Sequence, residues 1–220
     1  MKKGLTQMVF VLDMSGSMSS LREDTIGGYN SMIADQKKEA GDAIVTTVLF
    51  DHRYIMLHDG VNIQDIKEMT EKEYSPRGTT AMLDAVGRTI NHVGQKLAEL
   101  SEEERPEKVV FTIVTDGAEN SSIEFTWKAI KDMIKHQREK YNWVFTFLGA
   151  NIDTMEVSDN LGINRMMSKT YTASKVGTQK VFSAVSKSMS YARDVSLDEL
   201  NKDAAVQDMS AILDEVEDKN

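Results

Sequence analysis

Apolar residues along this chain fall either into short unbroken runs or into longer stretches with helical spacing. The runs Met8 to Leu12, Ile44 to Phe50, Tyr54 to Leu57, Val109 to Val114, Val144 to Leu148 and Met166 to Tyr171 predict strands. Between them, Leu21 to Glu39, Ala81 to Leu100, Phe125 to Lys140, Thr154 to Leu161 and Val176 to Arg193 predict helices. Such alternation implies a mostly parallel sheet covered by helices on both faces, because parallel neighbours need crossover connections. Asp51-His52-Arg53 is too short for a crossover, so it predicts a hairpin and makes Tyr54 to Leu57 a single antiparallel edge strand. The expected class is α/β, a three-layer α/β/α sandwich with Rossmann-like organisation. Phe125, Ala129, Met133 and His136 share one side of the third helix and are expected to face the core, with Trp127 and Lys128 on other sides.

Composition narrows this picture. The 220 residues, 40% of them hydrophobic, suffice for one sizeable core, and the expected organisation is a domain over residues 1–193 followed by a separate acidic tail over 194–220. In that tail Ala204, Met209, Ile212, Leu213 and Val216 fit one face of a short amphipathic helix, either frayed into solvent or docked on the domain or a partner. A formal charge of −9 argues against nucleic acid as the main partner, since phosphate binding relies on clustered Lys and Arg. No run approaches the roughly 20 apolar residues of a membrane span. The absence of cysteine fits a reducing compartment, so a cytoplasmic location is expected. Met1-Lys2-Lys3 and the apolar run behind it resemble a signal peptide only superficially, because Asp13 interrupts the run and no cleavage site follows.

The candidate chemistry begins where the first strand ends. Asp13-Met14-Ser15-Gly16-Ser17 places oxygen groups at alternating positions with a glycine that lets the chain turn, an arrangement able to close around a small hard cation. Gly78-Thr79-Thr80 precedes the second helix, and Thr115-Asp116-Gly117 ends another apolar strand. In open α/β sheets ligands gather beyond the carboxyl ends of strands, so these segments are expected to converge. Taken singly, each also suits a helix cap or a turn. Glu119, Asn120 and Ser121 fit either the rim of such a site or a cap for the helix at Phe125.

D-x-S-x-S, a later threonine and a strand-ending T-D-G resemble the metal-ion-dependent adhesion site (MIDAS) of von Willebrand factor A (VWA) domains. The resemblance spans roughly residues 5–193 and matches the stand-alone intracellular type found in bacteria among others. It implies that Ser15 and Ser17 are direct hydroxyl ligands, Asp13 and Asp116 the carboxylates, and Thr80 the switchable threonine, with Thr79 as the fallback. It further implies Mg²⁺, with Mn²⁺ as the alternative, and binding of a partner protein through an Asp or Glu on that partner. An adaptor or subunit role in a larger complex, such as one with an AAA+ ATPase, is within its scope. In relatives the last helix moves with the switchable threonine, and a tail carboxylate reaching the metal is one further expectation.

Enzymatic alternatives have little support. His52, His58, His92 and His136 are scattered, and neither G-x-S-x-G nor a P-loop is present. A metal-dependent phosphoesterase would want a second acid beside Asp13, where Met14 and Ser15 stand. The expected class is therefore a non-enzymatic binding module, with a phosphoesterase, or a regulatory module holding a purely structural metal, as the alternatives.

Overall fold

The computed structural model describes residues 1–217, so Asp218, Lys219 and Asn220 of the acidic tail lie outside the described residues. Its strands are β1 (Lys2–Asp13), β2 (Ala43–Phe50), β3 (Tyr54–Asn62), β4 (Pro106–Thr115), β5 (Val144–Gly149) and β6 (Ser168–Thr170). Its helices are α1 (Arg22–Gln36), α2 (Met82–Glu99), α3 (Trp127–Tyr141), α4 (Thr154–Leu161), α5 (Lys175–Asp194), α6 (Leu197–Leu200) and α7 (Asp203–Leu213).

The strands form one sheet in the order β3-β2-β1-β4-β5-β6. Every neighbouring pair is parallel except β2–β3, the expected hairpin. β1 pairs on both sides and is buried from Leu5 to Asp13, which explains its unbroken apolar run. α1 packs against α5, and α2 against α3, which in turn meets α4, so helical layers enclose the sheet. Strand order turns about β1: the chain steps outward to β2 and β3, then returns to β4 on the opposite side. The carboxyl ends of β1 and β4 therefore lie side by side at the switch point.

Several local expectations need correction. The fully buried side of α3 carries Ile130 and Ile134, flanked by half-buried Trp127 and Met133, while His136 is exposed. The helix is rotated because Phe125 and Thr126 lie before its first turn, where Thr126 Oγ1 accepts from Ala129 N. β6 is only three residues long, since Met166 belongs to a 3-10 turn. The segment after Asp194 does not stand apart: Leu200, Ala205, Met209, Leu213 and Val216 are buried, and most of them join the domain's own apolar cluster. Ala205, rather than Ala204, faces inward there. Among the described residues no helix is long and apolar enough to cross a membrane.

Candidate metal centre

At the end of β1 the chain must leave the sheet, and it does so with Asp13 and Ser15 buried and Ser17 exposed. The Asp13 carboxylate shapes this exit by accepting from Ser15 N at 2.6 Å, an Asx-type turn. Neighbouring elements fix the backbone around it. Met14 N donates to Phe50 O at the end of β2, and Tyr74 Oη donates to Asp13 O at 2.6 Å. Residues 77 and 78 run beside this exit, with Arg77 N donating to Met14 O and Gly16 N to Gly78 O.

The second and third segments arrive as the sheet order requires. Thr80 is buried and Thr79 exposed. Asn120 clasps the Thr80 backbone from both sides, its Oδ1 accepting from Thr80 N at 2.9 Å and its N donating to Thr80 O at 3.0 Å. Asp116 follows β4 directly and accepts from Ser17 Oγ at 2.5 Å, while Ser15 Oγ and Ser17 Oγ are hydrogen-bonded at 3.0 Å. Thr115 Oγ1 donates to Asp13 Oδ2 at 2.5 Å. The structure thus brings Asp13, Ser15, Ser17, Thr80 and Asp116 to one place.

Gly117 floors that place, and its missing side chain leaves room. A Cβ there would meet Thr80 Oγ1 at 3.3 Å, Ser17 Oγ at 3.5 Å and Asp13 Oδ2 at 4.0 Å. A carboxylate and two hydroxyls from separate segments therefore surround one small volume. All the donors are oxygen, which suits a hard divalent cation such as Mg²⁺ or Mn²⁺. The charges point the same way. Burial pushes the Asp13 carboxyl up to about 6, with Asp116 adding repulsion, and burial also raises Asp116. Neither carboxylate has an ion-pair partner among the described residues; Arg53 is paired with Asp51. Two buried acids side by side, with no cationic partner among the described residues, fit a divalent ion.

Two supporting roles were not legible beforehand. Thr115 and Tyr74 hold Asp13, yet in sequence one is a strand residue and the other sits in a distant loop. Glu119 caps a helix, but that helix is α2 rather than α3: its carboxylate accepts from Leu83 N, Ser121 N and Ser122 N.

No protein-family model matches the chain, and no curated protein matches it by sequence. Solved structures do match. Proximal thread matrix protein 1 of the mussel byssus superposes with a TM-score of 0.58 at 20% identity, over 85% of this chain and 46% of that one. That protein has also been solved with zinc occupying its MIDAS motif. The von Willebrand factor domain of the pilus tip protein Mfa5 from Porphyromonas gingivalis gives 0.60 at 10% identity, over 87% of this chain and 97% of that one. The manganese-loaded TRAP protein of Plasmodium vivax gives 0.53 at 16%, over 81% and 72%. The present chain thus spans less than half the length of the mussel protein. At these identities the likeness establishes the fold, which is that of VWA domains.

Proposed function

We propose that this chain is a metal-dependent protein-binding module rather than an enzyme. Its site would hold Mg²⁺ or Mn²⁺ through Ser15, Ser17 and Thr80 with Asp13 and Asp116, and would engage an acidic residue of a partner. The carrying observation is the oxygen-lined volume above Gly117, bordered by two buried carboxylates that no basic side chain among the described residues neutralises. A bound divalent ion would supply an electrophilic position for an external carboxylate. The chain's own part is to orient the donors: Thr115 and Ser15 N fix the Asp13 carboxylate, Asn120 fixes Thr80, and Ser17 is exposed. The mussel and Plasmodium structures, solved with zinc and manganese, support the reading by analogy of fold. A cytoplasmic adaptor or subunit, with an AAA+ ATPase among the candidate partners, is the setting we propose for it.

Titration calorimetry with Mg²⁺ and Mn²⁺ tests the reading. The intact protein should bind saturably. Asp13→Ala should abolish binding, and Gly117→Ala, which fills the volume while keeping every donor, should weaken it at least about tenfold, or 1.4 kcal/mol. No heat from the intact protein, or equal affinity in all three, would refute it.

A further inference from the structure

The two flanks of the metal site differ in chemistry, and this difference bears on the partner. One flank is the segment 77–79, exposed throughout, over which His52 lies so closely that a Cβ on Gly78 would fall 2.3 Å from its Nδ1. Arg77 on this flank is exposed and has no ion-pair partner among the described residues. The other flank is the loop from Gly117 to Thr126, where Ala118 is exposed and Ile123 is 91% exposed. An isoleucine so fully exposed has no packing role in the folded chain.

Ile123 is not presented by a loose loop. The Asp84 carboxylate accepts from Ile123 N, Glu124 N and Phe125 N, each at 2.9 Å. Glu119 takes Ser121 N, Ser122 N and Leu83 N, while Ser122 Oγ accepts from Asp84 N at 3.0 Å. Through these bonds and Asn120, the loop is latched to the first turn of α2, immediately after Thr80. An apolar side chain is therefore held outward on a rigid support beside a metal ligand, at little ordering cost on contact.

We propose that the metal face recognises an acidic segment in which the metal-binding Asp or Glu stands next to a large aliphatic or aromatic residue that rests on Ile123. Arg77 on the opposite flank favours further acidic charge in that segment, through complementarity of charge. This proposal rests on the metal-dependent reading above and adds to it the character of the neighbouring residue.

An array of immobilised heptapeptides with a central Glu or Asp, varied at one flanking position at a time, tests it. The array is probed with the 220-residue chain in Mg²⁺, with and without EDTA. Peptides with Leu, Ile, Met or Phe beside the acid should bind about fivefold or more strongly than those with Ser there, the scale of burying one such side chain. Ile123→Ser should bring the apolar peptides down to the Ser level while EDTA-sensitive binding to the Ser peptides persists. Because Ile123 is exposed, that variant should melt with the intact protein. Equal binding of apolar and Ser peptides, or an unchanged preference in Ile123→Ser, would overturn the proposal and leave the metal-dependent reading standing. Binding indifferent to EDTA, or absent from every peptide, would overturn both.

Discussion

Asp13 stands in a conflict between burial and charge. Its carboxyl is pushed up to about 6, chiefly by burial, against about 3.8 when unfolded. In the metal-free protein the folded chain therefore keeps a proton between about pH 4 and pH 6 that the unfolded chain has released. Stability from this group is complete below pH 4 and is lost as pH rises through 6, a loss of about 3 kcal/mol at pH 7. Urea unfolding of the intact protein and of Asp13→Asn across pH 4–8 in EDTA should show a clearly steeper decline in the former, because Asp116, also raised by burial, titrates in both. Saturating Mg²⁺ at pH 7 should reverse it; parallel profiles for the two proteins would contradict the assignment. That the segments carrying Asp13, Ser15, Ser17, Thr80 and Asp116 would converge was legible in sequence, because each lies at a strand end or in a loop whose position follows from alternation. The roles of Thr115 and Tyr74 were not, because they depend on which loop lies beside which, and spacing along the chain does not encode that; Asn120 was offered for the rim and holds Thr80 there.

Among the elements, the helix boundaries and the hairpin follow closely from hydrophobic period and loop length, whereas the loop between β4 and α3 does not. Its polar sequence, Glu119 to Ser122, suits a cap for whichever helix lies near. The structure assigns it to α2, with Asp84 returning the favour by satisfying three amides of the loop. Asp84 is 7% exposed, so removing its carboxylate strands those N–H groups. Asp84→Ala should cost about 2–4 kcal/mol in denaturant unfolding, and Asp84→Asn, which keeps one acceptor oxygen, should cost less. Limited proteolysis should open Asp84→Ala first between residues 117 and 126. A variant as stable and as resistant as the intact protein would show that the latch contributes nothing. Rotation of α3 has a related origin: Phe125 shares the helical period of Ala129 and Met133 but lies before the helix begins, so that, although Phe125 and Met133 do pack against the core, the fully buried line runs through Ile130 and Ile134.

For the molecule as a whole, the sheet order was legible because only crossovers can join parallel strands, but the place of the C-terminal segment was hidden by its composition. Nine acids against two lysines from Asp194 to Asn220 read as a solvated extension. Yet α7 and the turn after it are held at several points: Lys169 binds Ser210 Oγ and pairs with Asp214, Lys187 pairs with Glu215, and Tyr191 donates to Asp208. Asp208, Asp214 and Glu215 are thereby committed to α5 and β6. The apolar side of α7 does the larger share, because the partly exposed ion pairs are each worth about 1 kcal/mol or less, whereas Leu213 is 0% exposed. Leu213→Ala should therefore lower stability by about 2–5 kcal/mol, and a chain ending at residue 195 should lose more, melting on the order of 10 °C below the full chain. Charge reversal at Glu215 should change the melting point by only a few degrees. If the truncated chain melted with the full one, the segment would be a passenger after all, and the burial of Met209, Leu213 and Val216 would carry no energetic weight. If instead truncation lowers stability while metal affinity holds, residues 197–217 belong to the folding unit and not to the site.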